Sequence, residues 1–205
     1  MDNLDRIRFV AANYSSLQGL KQVPFGVLAV LVSVWANTLH RPATDLTWPV
    51  LVAAACAGLY LLIDRYYARV FGHGRRAPST VRLEWVIQIG GAVLALIAFA
   101  VDVSLKWPVS TLGLVFAAVL LADYLRITRL ARDRFLLYYP AMALVMIGLS
   151  FLPLIGPGNW WRAIGISSPV LAVLMVFGLL VILFGILVHL FLVRSLPPVQ
   201  ETQNG

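Results

Sequence analysis

Six apolar stretches alternate with short polar segments along this chain. A run of roughly 20 apolar residues carries an α-helix across a bilayer. Backbone groups in lipid must be bonded within their own segment or in a closed barrel, and uninterrupted apolar runs fit helices. The first span is read over Pro24 to Leu39, its helix starting as early as Leu17. The second covers Trp48 to Ile63, the third Trp85 to Leu105 and the fourth Pro108 to Leu125. The fifth covers Phe135 to Ile155 and the sixth Pro169 to Val193. Pro49, Pro108 and Pro169 each fall in the first turn of an even span, where proline's missing N–H costs little. Pro153 predicts a kink in the fifth span. The pattern predicts an all-α fold, a polytopic membrane protein with six transmembrane helices arranged as three helical hairpins.

The Lys and Arg residues set its orientation. Alternate gaps between spans hold three, five, four and one of them, and the gaps between these hold one each. Cytoplasmic flanks of membrane helices accumulate basic residues, so both ends are expected in the cytoplasm, N-in and C-in, in a bacterial inner membrane. Three regions follow: a cytoplasmic amphipathic segment over 1–23, a six-helix transmembrane domain over 24–194 and a flexible cytoplasmic tail over 195–205.

Composition narrows the function. Charged residues make up 12% of the 205 positions, against roughly 25% in a soluble domain. Six spans take about 120 positions, which leaves no room for a soluble catalytic domain. The net charge of +7 lies in loops beside the spans. There it reads as attraction to anionic lipids, about 1 kcal/mol per basic residue, and not as a nucleic-acid surface. The lone cysteine, Cys56, allows no intrachain disulfide. The first 23 residues are polar and charged, so no cleavable signal peptide is expected.

Within that first segment, Leu4, Ile7, Phe9, Val10, Tyr14 and Leu17 share part of a helical face beside Arg6 and Arg8. This predicts a short amphipathic helix on the inner membrane surface. The longest inner loop, Asp64 to Leu83, begins as a helix continuing beyond the membrane and is broken at Phe71-Gly72-His73-Gly74. The second basic loop, Arg126 to Arg134, has no Gly or Pro and suits one or two helical turns.

Two even spans look alike. Trp48-Pro49-Val50 matches Trp107-Pro108-Val109 at an offset of 59, and an aspartate follows each Trp by sixteen residues, Asp64 and Asp123. Duplication accounts for this, and so do membrane constraints alone, since Trp and Pro favour one interface and acid with Arg the other. Sixteen helical residues rise about 24 Å, so both aspartates belong near the inner headgroups. Asp64 is expected to pair with Arg65 or Arg69, and Asp123 with Arg126 at i+3. Together with Tyr66, Tyr67, Tyr124 and Arg129, these residues form a candidate surface for docking a partner.

Candidate ligand-binding positions are few. A mid-membrane charge is usually functional, but no Asp, Glu, Lys or Arg falls at the centre of a span. Asp102 lies near the outer end of the third span, within i+4 reach of Lys106. Glu84 opens that span, where the helix dipole favours a carboxylate. Gln88, one turn deeper, is expected to hydrogen-bond to a neighbouring helix. Trp160 and Trp161 lie in a short aromatic outer loop, either a lid or an interfacial anchor. His189 reads as a packing residue. His40 and His73 lie in other loops, so no metal-ligating set converges, and neither a metal nor a cofactor is expected. Ala53 with Ala57, Ala54 with Gly58, and Gly113 with Ala117 share helical faces, read as close packing inside the bundle or as a surface for a homo-oligomer.

No His-Glu-x-x-His, serine–histidine–aspartate set or phosphate-binding glycine loop is present. Size, span number and orientation resemble, in architecture only, the membrane subunits of ABC transporters, including small substrate-capture subunits of vitamin importers. No motif carries a residue role across. Three readings follow: a membrane subunit of a transport system, docked to an ATPase or another membrane protein through the basic inner loops; a non-transporting scaffold holding a lipid or apolar molecule; and an enzyme acting on lipid headgroups.

Overall fold

The computed structural model describes Tyr14 and residues 17–38, 47–71, 78–105, 107–128, 137–155, 160–163 and 165–195. Among these residues the chain is entirely helical. A 3-10 turn, Gly19–Lys21, leads into α1, Val23–Thr38. Then come α2, Thr47–Phe71, α3, Pro78–Leu105, and α4, Thr111–Thr128. After these come α5, Tyr138–Ile155, a single turn at Trp160–Ala163, and α6, Pro169–Ser195. Five helical segments are long and apolar enough to cross a membrane: Gly19–Thr38, Val50–Val70, Trp85–Leu105, Thr111–Thr128 and Pro169–Arg194. A shorter apolar helix, Tyr138–Leu154, is the sixth candidate. The helices therefore fit a multi-pass membrane protein.

Helix boundaries follow local chemistry. Pro49 and Pro169 lie in the first turns of α2 and α6. Pro108 does not start α4: the chain bends there, and Ser110 precedes the helix at Thr111. Ser110 wins because its hydroxyl accepts the Gly113 N–H at 3.3 Å, a bond that proline's ring cannot supply. This gives the two Trp-Pro-Val segments different registers. α2 starts one residue before Trp48, whereas α4 starts four residues after Trp107. Helix α2 continues past Asp64 to Phe71, and α3 begins at Pro78, well before Trp85. Much of the long basic loop is thus helix, with 72–77 outside the described residues.

Helix α6 is the hub, touching α1, α3, α4 and α5. The sequential pairs α1–α2, α3–α4 and α5–α6 all touch, but the most extensive interfaces join α1 to α6 and α4 to α5. Glycine explains the first. Gly19 and Gly26 on one side meet Gly185 and Gly178 on the other, and in each chain segment the two glycines are seven residues apart. Lipid offers helices little hydrophobic drive to associate, so close backbone approach and dispersion must supply it. At α4–α5, a Cβ on Gly113 would collide with the Ser150 hydroxyl. The stacked rings of Phe116 and Phe177, 3.8 Å between centroids, join α4 to α6.

Helices α2 and α3 are peripheral. The less exposed positions of α2 include Val52, Cys56, Tyr60, Ile63 and Tyr67, one stripe at helical spacing. Ala53, Ala54, Ala57 and Gly58 are exposed, and a Cβ on Gly58 would touch nothing. This corrects their assignment to packing inside the bundle; Gly113 and Ala117 do pack there.

Candidate functional site

The largest aromatic and polar cluster lies where the chain enters α1 and α2 and α6 end. Leu17, Tyr67, Ile127, Tyr139, Val188 and Leu192 form a buried cluster, with Tyr14, Tyr124 and Tyr138 packed against it. Leu17 is 1% exposed, so it is a core residue and not part of a surface helix. The sequence pattern could not separate lipid from protein as the apolar partner of this face. Residues 1–13 lie outside the described residues.

Tyr67 organises the cluster and is itself 1% exposed. Its hydroxyl meets His189 Nδ1 at 2.9 Å and accepts the Leu20 N–H at 3.4 Å. Its carbonyl accepts the Tyr14 hydroxyl at 3.3 Å. The ring of His189 packs edge-on against both Tyr66 and Tyr67. Burial pushes the Tyr14 phenol above its ordinary pKa, so it remains a donor. The Gln18 carbonyl oxygen, Oε1, is left buried without a partner, an arrangement that costs roughly 1–3 kcal/mol.

Two ion pairs flank the cluster. Asp64 pairs with Lys21, not with the expected Arg65 or Arg69, because the segment before α1 folds against α2. Asp123 pairs with Arg126 Nε at 3.1 Å, as the i+3 spacing predicted. Arg65, Tyr66 and Arg69 are exposed on the last turns of α2, whereas Tyr67 and Arg126, 9% exposed, are interior. A partner surface at this end therefore excludes those two side chains, and Arg129 lies outside the described residues.

The opposite end of α3 holds a second polar site. Asp102 is 7% exposed. Its carboxylate accepts from Ser110 Oγ at 2.9 Å, Thr111 N at 2.8 Å, Leu112 N at 3.0 Å and the Thr111 hydroxyl. These donors are the free N–H groups and cap hydroxyls of the α4 N-terminus, where the helix dipole favours an anion. Ser110 N donates to the Ser150 carbonyl at 3.1 Å, which ties the cap to α5. Lys106, the expected partner, lies outside the described residues. At the same end, Asn37 clasps the loop before α6: its Nδ2 donates to Gly165 O at 2.9 Å and its Oδ1 accepts from Ser167 N at 2.7 Å. Gly165 adopts φ 76°, a left-handed conformation suited to glycine.

Gln88 and Asp102, two of the four candidate ligand positions, lie apart on one helix. Gln88 lies fourteen residues from Asp102 along α3, about 21 Å of helix, and its side chain is exposed and not buried against a neighbour. Trp161, half-buried, follows Trp160 in the single turn before α6. Among the described residues no group of three His, Cys, Asp or Glu side chains is placed to hold a metal ion. Neither His189 nor the paired glycines were read from sequence as structural centres. Gly19, Gly26, Gly178 and Gly185 carried the missing signal in their sevenfold spacing.

No protein-family model matches the chain, no characterised protein matches it in sequence, and no solved structure matches it in fold.

Proposed function

We propose that this protein is an integral membrane subunit associated with a transport system, docking a cytosolic or membrane partner through the basic end of its bundle. The supporting observation is the exposure of Arg65, Tyr66 and Arg69 on the last turns of α2, where that helix is held by one narrow stripe. An aromatic flanked by arginines is the composition that protein interfaces favour. In this reading that end faces the cytoplasm, both termini lie there, and the membrane is a bacterial inner membrane. Autonomous ion-coupled transport has less support. Asp102, the buried carboxylate among the described residues, is committed to the α4 cap.

A second reading, a scaffold that assembles within the membrane, is favoured by the open small-residue face at Ala53, Ala54, Ala57 and Gly58. Photo-crosslinking from benzoylphenylalanine at position 66, with position 107 as the opposite-end control, separates the two. A discrete protein adduct from 66 alone supports docking at the basic end. Adducts from neither site, with capture from position 54 instead, favour the scaffold.

A further inference from the structure

Helix α3 is packed over only part of its length. From Gly91 onward one side is seated. Gly91, Ala98 and Asp102 are buried, and a Cβ on Gly91 would meet the Val119 side chain of α4 at 2.8 Å. Ala95 and Phe99 pack beside them on the cluster of Ala98, Leu112 and Val170. Ahead of Gly91 the packing stops. Of the side chains described over 82–90, only Ile87 is even half-buried. This stretch includes the opening turns of the apolar segment Trp85–Leu105, long enough to cross a membrane.

The exposed part of α3 has two unlike faces. Val86, Ile89, Val93 and Ile97 recur at spacings of three and four residues, a branched apolar stripe suited to lipid. Trp85, Gln88 and Ala92 form the other face at the same spacings. That face runs on into Ala95 and Phe99, which are seated in the bundle. Gln88 lies about one helical turn inside the apolar segment. It is exposed, and no hydrogen bond among the described residues reaches its amide. A carboxamide facing hydrocarbon is stabilised by bonding to another helix, and this chain's own bundle does not cover it.

We propose that the missing neighbour is a second copy of this chain: two α3 helices pair across a two-fold axis through Trp85, Gln88 and Ala92. Two copies inserted in the same direction hold Gln88 at the same depth. An axis along the membrane normal therefore brings amide to amide. A carboxamide carries two N–H donors and a carbonyl acceptor, so it complements itself, as an isologous interface requires. Ala92, one turn further on, lets the backbones approach. Arg82 shares the face of Ile89, seven residues on, so the contact does not set arginine against arginine. The pairing face continues the stripe by which α3 already packs on α4 and α6.

The test uses the purified full chain in phosphatidylcholine–phosphatidylglycerol vesicles, with Cys56→Ser removing its one thiol. Oxidative crosslinking is compared for Ala92→Cys on the pairing face, Ile89→Cys on the lipid face and Ala54→Cys on the exposed small-residue face of α2. Pairing predicts covalent dimer chiefly from Ala92→Cys. Energy transfer between two fluorescently labelled populations then measures association with Gln88→Leu. The variant should dissociate roughly three- to thirtyfold more readily, the effect of losing an interhelical hydrogen bond. Gln88 is exposed, so the fold of each copy survives the change. Equal crosslinking from positions 89 and 92 overturns the proposal, as does dimer from position 54 alone. So does a Gln88→Leu variant that associates as tightly as the wild type. No other protein is present in the vesicles, so each outcome is independent of partner docking at Arg65 and Arg69.

Discussion

Gly26 and Gly178 face each other so closely that a Cβ on either would lie 2.6 Å from the carbonyl oxygen of the other. One heptad away, Gly19 and Gly185 repeat the relationship. The first and last long helices are thus joined backbone to backbone, and this interface closes the bundle.

Gly26→Ala and Gly178→Ala should each destabilise the fold by about 1–3 kcal/mol, the cost of forcing extra volume into a filled interface. Gly58→Ala, where the added methyl meets open space, should be neutral or mildly stabilising through helix propensity. Unfolding by a graded detergent titration measures all three. Equal effects at positions 26 and 58 would remove the glycine interface as a determinant of stability.

Asp102→Ala strips the α4 N-terminus of its anion and leaves the Thr111 and Leu112 N–H groups without their acceptor. We expect a loss of about 2–3 kcal/mol, with reduced amide protection in the first turn of α4. Asp102→Asn keeps an acceptor but not the charge, and should lose about half as much. Equal losses in both variants would mean that charge is what the cap requires.

The two ion pairs should differ sharply. Arg126 is interior and its Nε donates to Asp123, so Asp123→Ala removes one partner of a buried guanidinium and should cost roughly 3 kcal/mol. Asp64 is half exposed in its pair with Lys21, whose side chain is 16% exposed, so Asp64→Ala should cost less than Asp123→Ala and weaken in high salt. The same unfolding titration at low and high ionic strength reports both.

The sequence carried these features unequally. Spans were legible because apolar runs register directly, and Asp123–Arg126 was legible because i+3 spacing is local. Lys21–Asp64 was not: 43 positions separate its partners, and nothing local signals that the segment before α1 turns inward. Tyr66 and Tyr67 are chemically alike and adjacent, so only the packing of α2 distinguishes the exposed ring from the buried one. Asp102 reads from sequence as a candidate ligand position within reach of Lys106 because the donors that satisfy it belong to the next helix. Its partners Ser110, Thr111 and Leu112 were in view, yet proline at 108 suggested an earlier helix start.

The most direct test of the account is purification of the tagged protein from its native membrane in mild detergent, alongside the Arg65→Glu/Arg69→Glu variant. Mass spectrometry would identify everything retained. The account predicts a stoichiometric transporter ATPase or membrane permease with the wild-type chain, reduced at least tenfold in the variant while the variant still inserts and folds. A folded wild-type chain that carries no protein partner, or a partner retained equally by the variant, would contradict docking through the basic end.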